Sequence, residues 1–411
     1  MAQINLILNQ EEIQALLSKD RSEGFRELLE KSLNAILKAE STEQLGAERY
    51  ERSEERMDSR NGTRERGLQT RIGKVTLEVP RHRNVPFKTL VFDNYNRSEG
   101  ALIIAMAEMV VNGVSSRKVA NVMEALCGTT PSKSAVSEAC KELDKAVEGF
   151  RNRPLTEEYP FVMVDATYLK AREDHRIIGK AFMVAIGTTR DGRREVLGFG
   201  VYPCENRETW CQFLDTLKKR GLHGVKMITS DAHDGIIHAI GKIFPDVPWQ
   251  RCQMHFTRNI LDKAPKKYQA DIHVNLNRMY NCSTIEEARK VRDELIEEYQ
   301  EVAEKAMECL DEGFESVMTV MFLPESMRRY FRTSNHLERL NLEIKRRSKV
   351  IGIFPNEASM LRLIGSVLIE QNENYTAHSR ANFKREDLAK LDASCEDLRK
   401  IAKIQQSLLA A

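Results

Sequence analysis

Three acidic side chains stand where they could share one site. Asp165 follows the apolar run Phe161-Val162-Met163-Val164, which reads as a buried strand. An ionised carboxylate beside a dry sheet is costly unless something pairs with it. Asp231 closes a second short apolar run in "ITSDAHDG", and Glu338 sits in "TSNHLERLN", where the spacing is helical. Two neighbouring carboxylates repel, and one takes up a proton unless a cation lies between them. A hard divalent cation suits all-oxygen ligands, and a third acid is needed to hold a pair of ions. Two ions about 4 Å apart can activate an attacking oxygen and stabilise a leaving one in phosphoryl transfer. Each acid also has a plainer reading. Asp165 fits a turn or cap, Asp231 fits the N-cap of the helix after it, and Glu338 fits a capping box with Asn335.

The segment from Phe161 to Phe256 must position the first two acids. "FVMVDATYLKARE" and "RIIGKAFMVAIGTTR" read as strands joined by a short polar turn, and Asp191-Gly192 marks a hairpin into a third strand, "REVLGFGVYPCEN". A helix, "RETWCQFLDTLKKRG", then a strand, "KMITSD", a helix, "DGIIHAIGKIF", and a short strand, "PWQRCQMHF", follow. Three antiparallel strands, helix, strand, helix, strand is the order of a ribonuclease-H-like mixed sheet, in which the strands of Asp165 and Asp231 are neighbours. The fold class expected is therefore α/β. On the later helix Leu337, Leu340 and Ile344 form the apolar side, while Asn335, Glu338, Asn341 and Lys345 line another face. Glu343, a rival for Glu338, lies about 140° round that helix from it.

The flanks suggest contact with nucleic acid. Residues 5–48 read as helices. From Arg49 to Lys88 eleven basic residues face six acidic ones, among them Arg64, Arg66 and Arg71, and "LQTRIGKVTLEVPR" reads as a hairpin about Ile72-Gly73-Lys74. Such a surface suits phosphate, although charge runs are also ordinary solvated faces. Residues 114–150 read as two helices about a turn punctuated by Gly128 and Pro131, with Ser132 as N-cap. Val136, Cys140, Leu143 and Val147 form the buried stripe of the second helix. Lys133, Ser134, Ser137 and Lys141 are left outward, as on a helix-turn-helix recognition helix, or on a plain helical hairpin. Residues 257–333 are helical, with a charged amphipathic stretch from Ser283 to Leu310. The tail after Tyr375 reads as a loosely attached amphipathic helix.

Composition narrows the class further. The 411-residue chain has a net charge of only +2 and no apolar run of membrane length. Its start carries early acids and no small-residue cleavage site, unlike a signal peptide. The eight cysteines are scattered singly, which suits reduced thiols in a cytosolic protein.

"VMVDATYLK", "ITSDAHDG" with "QRCQMHFTRN" downstream, and "TSNHLERLN" together resemble the Mutator-type transposases of bacterial insertion sequences. "SRNGTRERGLQTRIGKVTLEVPRHR" resembles the segment before that family's catalytic domain. The likeness runs from about Arg49 to Tyr375. It implies an acidic triad of Asp165, Asp231 and Glu338 as catalytic and metal ligands, served by Mg²⁺, with Mn²⁺ as substitute, in a pair of ions. It implies a helical insertion in the 107-residue step between Asp231 and Glu338. It implies a DDE-type enzyme that cleaves double-stranded DNA at the inverted repeats of an element and joins the 3′-hydroxyl to target DNA. It also implies a homodimer or larger synaptic complex in the bacterial cytoplasm, on the nucleoid when bound to DNA.

The expected organisation is a DNA-binding region over 1–95, a helix-turn-helix-like region over 96–155 and the first part of the core over 156–256. The helical insertion follows over 257–333, the helix of the third acid over 334–375 and the tail over 376–411. Arg64, Arg66, Arg71, Lys133, Ser137, Lys141 and Lys345 are the candidate DNA contacts. Cys252 and His255 match a Cys-x-x-His pair of the family. Zinc would need about four ligands and no partner pair is evident, so they read as a structural pair. Trp210 reads as core rather than a DNA-stacking aromatic, and His233 and His238 are left without a role. The competing functions are a ribonuclease-H-like nuclease without strand joining and a catalytically inactive DNA-binding regulator.

Overall fold

The computed structural model describes residue 14 and residues 21–51, 56–70, 72–89, 91, 100–127, 130–377 and 383–410. The chain divides into two compact units, Met1–Leu143 and Asp144–Ala411.

In the first unit, helix α1 (Arg21–Leu45) packs on an antiparallel hairpin, β1 (Arg60–Thr70) and β2 (Gly73–His82). Val75, Leu77 and Val79 alternate along β2 and are buried with Leu37 and Leu68, while Lys74, Thr76 and Glu78 are exposed. The hairpin is longer than its sequence signal, but its turn is where expected. Gly73 has φ +114°, which only glycine adopts readily. Arg71, one of the expected DNA contacts, lies outside the described residues.

Next come α2 (Gly100–Val111), α3 (Ser116–Cys127) and α4 (Lys133–Lys141). Leu102, Met106, Val119, Met123, Val136 and Ala139 bury one another among them. Ser132 caps α4 by accepting from Ala135 N at 3.1 Å. Gly128 is outside the described residues. The expected single stripe of Val136, Cys140, Leu143 and Val147 is corrected: the helix breaks at Glu142, whose N–H bonds Ala139 O, and α5 (Leu143–Asn152) starts afresh. Val136 serves the core shared with α2 and α3. Val147 serves another, against Gly365, whose close approach leaves no room for a Cβ.

The second unit is built on a five-stranded mixed sheet. Its strands are β3 (Phe161–Glu173), β4 (Arg176–Thr188), β5 (Arg194–Tyr202), β6 (Met227–Ser230) and β7 (Trp249–Arg251), in the order β5-β4-β3-β6-β7. The first three pair antiparallel; β3–β6 and β6–β7 pair parallel. Helices α6 (Arg207–Lys219) and α7 (Asp234–Ile243) cover one face. Val162 and Val164 of β3 point into that layer, with Met183, Leu197, Trp210, Phe213, Leu214 and Ile236. Trp210 is fully buried, as a core residue, and its Nε1 donates to Glu205. Period-2 alternation then turns Phe161, Met163 and Asp165 to the opposite face.

The expected strand "PWQRCQMHF" is corrected in its second half, because α8 (Gln253–Lys263) begins there. Helices α8, α9 (Gln269–Tyr280), α10 (Ile285–Tyr299) and α11 (Glu304–Val317) bury a core of their own, including Phe256, Leu276, Met307 and Phe314. A turn at 300–303 divides the charged amphipathic stretch into α10 and α11. A 3₁₀ turn (Thr319–Phe322) and α12 (Glu325–Phe331) lead back, and Gln253 N donates to Arg332 O at 2.9 Å, so the way in and the way out of this helical segment adjoin. α13 (Asn335–Ser348) and α14 (Glu357–Ala377) complete the second face of the sheet.

The tail is not loosely attached. It forms α15 (Arg385–Ala393) and α16 (Cys395–Ala410), with Leu391, Leu398 and Ala402 buried, and Gln405 hydrogen-bonds the backbone of Trp249. Its apolar residues, too few for a free-standing helix, find their partners on the sheet unit. Among the described residues no helix is long and apolar enough to cross a membrane, and seven cysteines are free thiols.

Candidate active site

The β3–β6 register pairs Phe161 with Met227, Val162 with Ile228 and Met163 with Thr229. Continued by two residues, it sets Asp165 beside Asp231, which leaves β6 at its carboxyl end. Glu338 reaches the same place from the first turn of α13, which is packed by Leu337, Leu340 and Ile344. The three acids line one cleft of about 410 Å³ with Thr167, His255, Arg258, Asn341 and Lys345.

The plainer readings of these acids do not describe their contacts. His233, not Asp231, caps α7: its Nδ1 accepts from Gly235 N at 3.1 Å. The same Nδ1 lies 3.7 Å from Glu205 Oε1. Ser334, not Asn335, occupies the N-cap of α13, and no side-chain cap bond forms there, so Glu338 closes no capping box. Glu343 turns elsewhere. It pairs with Arg346 and Arg347 at 2.6 Å each, and Arg346 foremost holds its carboxyl down at about 2.

Asp165 accepts from its neighbour's backbone, Ala166 N, at 2.9 Å and from Asn341 Nδ2 at 2.7 Å. Burial, with the charge of Asp231 added, pushes it up to about 7. Burial also raises Glu205, a fourth acid in this neighbourhood; His233 offsets part of the rise and Asp231 adds to it.

Behind Glu338 stands His255, with Nε2 3.3 Å from Glu338 Oε1. Cys252 is fully buried, and its sulfur receives Ser334 Oγ at 3.2 Å and Ser334 N at 3.4 Å. Burial would raise this thiol, but contact with His255 and donation from Ser334 outweigh it and bring it down. Cys252 in turn raises His255, against burial, and Glu338 and Asp165 add to the effect. His255 Nδ1 has no aligned hydrogen-bond partner, so its link to Cys252 is electrostatic. Through Ser334 and Glu338 the pair links β7, α8 and the start of α13.

Can these residues take a cation? Asp231 Oδ1, Glu338 Oε1 and Asn341 Oδ1 are buried acceptors without a hydrogen-bond donor. Buried oxygens left in this state are costly, and all three belong to residues lining the one cleft. Among the described residues, however, no three His, Cys, Asp or Glu side chains are drawn together into a ready-made ion cage. Mutual repulsion of the carboxylates opposes such closure when no cation balances them. The donor set, all oxygen, fits a hard divalent ion in chemistry.

Lys345 lies at this cleft. Arg64 and Arg66 line a separate cavity of about 1040 Å³ on the hairpin, with Lys74 and Arg81. Lys133, Ser137 and Lys141 are exposed on α4, and Lys141 is engaged with Glu138 at 2.7 Å. Sequence reasoning gave Asn341 a face but no role. Its position three residues after Glu338 was the available signal. Arg258 and Glu205 were missed, and nothing in their local sequence marks them.

The comparisons with known proteins agree with the resemblance. The family model described as "Transposase, Mutator family" matches residues 1–378. The transposase for insertion sequence element IS256 in transposon Tn4001 of Staphylococcus aureus is 41% identical over 384 residues, which is 92% of this chain and 98% of that protein. The transposase for insertion sequence element ISRM5 of Rhizobium meliloti is 38% identical, covering 87% of this chain and 90% of its own. The transposase for insertion sequence element IS1081 of Mycobacterium tuberculosis is 35% identical, covering 91% of both. Among solved structures, a Mos1 transposase paired-end complex with left transposon end covers 39% of this chain and 60% of its own at 12% identity; its TM-score of 0.15 is too low to bear on the fold. This chain belongs to the Mutator family of transposases.

Proposed function

We propose that the cleft of Asp165, Asp231 and Glu338 carries out DDE-type strand cleavage and 3′-hydroxyl transfer on double-stranded DNA, in a ribonuclease-H-like core. The observation that carries this reading is the meeting of Asp165 and Asp231, from neighbouring strands, with the helix-borne Glu338 in one cleft, where buried oxygens of Asp231, Glu338 and Asn341 have no hydrogen-bond donor. The β5-β4-β3-β6-β7 order supports the ribonuclease-H-like assignment.

Asp165, Asp231 and Glu338 would hold Mg²⁺, or Mn²⁺ in its place, as one or two ions. When bound, a divalent cation supplies charge that stabilises the attacking and leaving oxygens of phosphoryl transfer. The chain's own residues prepare for this. Asn341 holds Asp165 in orientation while leaving Oδ1 of the amide free toward the cleft. Asp165, its carboxyl pushed up to about 7 by burial and by Asp231, would ionise more fully if positive charge entered the cleft. His255 braces Glu338 from behind. Lys345 and Arg258 bring positive charge to the rim, where a phosphodiester would lie. In the first unit, the hairpin cavity with Arg64 and Arg66 and the exposed face of α4 with Lys133, Ser137 and Lys141 are the surfaces we assign to DNA. Joining two element ends calls for at least a homodimer.

The test is cleavage of a labelled element end by the full chain with Mg²⁺, Mn²⁺, Ca²⁺ or excess EDTA. Cleavage and joining with Mg²⁺ and Mn²⁺, binding with little chemistry in Ca²⁺, and no cleavage in EDTA are expected. Equal cleavage in EDTA removes the metal reading. Cleavage without joining of the 3′-end reduces the activity to that of a nuclease.

A further inference from the structure

Trp249 opens β7, the three-residue edge strand of the sheet. The ladder to β6 uses the residue before it, since Ile228 N donates to Pro248 O at 3.2 Å. The N–H and C=O of Trp249 are left on the outer edge, where an unpaired strand is a liability. A single side chain of α16 occupies both. Trp249 N donates to Gln405 Oε1 at 2.8 Å, and Gln405 Nε2 donates to Trp249 O at 2.9 Å. Gln405 Nε2 also lies 3.1 Å from Thr319 Oγ1, which in turn is 3.0 Å from the same carbonyl. One amide thus does what a further strand would do.

From Trp249 the contacts run inward. Its indole Nε1 donates to Ser230 Oγ at 2.9 Å, and Ser230 Oγ donates to the backbone carbonyl of Asp231 at 2.8 Å. Cys252 N holds the other side, donating to Ser230 O at 2.8 Å. Ser230 and Trp249 are buried, so these bonds have no water to replace them. The backbone that aims Asp231 is therefore fixed through Ser230 and Trp249 by a residue 174 positions later in the chain.

We propose that Gln405 is a positioning residue for Asp231, and that the C-terminal helix is part of the catalytic apparatus rather than an appendage. The inference rests on the reading of Asp231 as a cation ligand. Without Gln405, the Trp249 N–H loses its partner and the Trp249 carbonyl is left to the Thr319 hydroxyl, the indole is no longer held level with Ser230, and the Asp231 carbonyl gains freedom. Gln406 provides an internal comparison. It anchors the same helix to Gly241 O and Pro245 O and makes no hydrogen bond to Trp249 or Ser230.

The test uses full-length Gln405→Leu, Gln406→Leu, Trp249→Phe, the double variant Gln405→Leu/Trp249→Phe, and Asp231→Asn. Each is melted in EDTA and across a Mn²⁺ titration, since an ion that binds the folded state raises its melting temperature. Single-turnover cleavage of a labelled element end is measured beside it. Gln405→Leu and Trp249→Phe should each raise the half-saturating Mn²⁺ about tenfold, the low end for partners behind the ligands themselves. Gln406→Leu should leave it unchanged. The double variant should be no worse than the more affected single one, because both act on one chain of contacts. A Gln405→Leu shift no larger than that of Gln406→Leu, or a double effect equal to the product of the singles, overturns the proposal. Should Gln405→Leu fail to fold, Trp249→Phe decides: an unchanged Mn²⁺ dependence overturns it. Asp231→Asn separates the two questions. If it binds Mn²⁺ and cleaves like the parent, the reading of the site fails, whatever Gln405 does.

Discussion

Replacing Asp165 by asparagine should stabilise the cation-free protein at high pH while abolishing its chemistry. Burial and Asp231 raise the Asp165 carboxyl from 3.8 to about 7. The sign follows from proton binding. Between about pH 4 and pH 7 the folded chain keeps a proton that the unfolded chain has lost, so stability falls as pH rises through that window. Each pKa unit corresponds to about 1.4 kcal/mol, which gives a loss of up to about 4 kcal/mol once the pH exceeds 7. Asp165→Asn removes the charge and with it the loss. The new amide also finds a partner, because Asn341 can turn its free Oδ1 toward it. For a unit of this size about 1 kcal/mol moves the melting temperature by roughly 2–4 °C, so a rise of up to about 8–16 °C is expected at pH 8 in EDTA. The gain should shrink toward zero at pH 4. Saturating Mg²⁺ should raise the parent and not the variant, closing the gap from the other side. The assay is a pair of melting curves for parent and variant at pH 4, 6 and 8, with and without Mg²⁺. Equal melting temperatures at pH 8 in EDTA would refute the argument, because Asp165 would then not be held up by its surroundings.

Glu338→Gln should melt like the parent, since no cap or paired bond depends on its charge beyond His255, and should lose most cleavage; Glu343→Gln should cleave normally but lose stability, because Arg346 and Arg347 each lose an ion pair with it. The Glu343 contribution, from a carboxyl held down at about 2, should be present at neutral pH and fade on acidification below about pH 4 in melting curves. Lys345→Ala and Arg258→Ala should each lower the slope of log affinity against log salt by about one, as expected for loss of one phosphate contact; an unchanged slope in a binding titration takes that residue off the DNA path. Arg64→Ala combined with Arg81→Ala should weaken element-end binding while single-turnover cleavage at saturating protein stays near the parent rate, because these residues belong to the first unit; a loss of cleavage at saturation contradicts that division.

Much of this fold is legible because its signals are local. β3, β4 and β5 start at the residues their apolar runs indicate, the Asp191-Gly192 turn has Gly192 at φ +86°, and Ser132 caps α4. Asp165 and Asp231 stand out for the same reason, as charges at the ends of apolar runs. What escaped depends on partners far along the chain. No pattern around Asn341 announces that its amide binds a strand 176 residues earlier. Nothing in the tail signals that Gln405 completes a sheet edge, so an amphipathic helix with few apolar residues reads as loose. The break at Glu142 was hidden because the apolar spacing runs straight through it. A periodic stripe records which residues are buried and not that they are buried in two different places. Cys252 and His255 lie close in sequence, but the serine that completes their contacts, Ser334, is 82 residues away.

The adjoining entry and exit of the helical segment carry an evolutionary consequence. Gln253 N meets Arg332 O at 2.9 Å, and Thr229 Oγ1 meets Phe331 O at 2.9 Å, so some eighty residues leave and return through one gate. The segment buries its own core beyond that gate. Loop-closure entropy grows only slowly with the length enclosed, and the third acid lies seven residues past Phe331. The segment can therefore lengthen, shorten or be exchanged among relatives without moving Glu338. Divergence in length should collect between residues 264 and 318, and the spacing from the gate to the acid should hold constant.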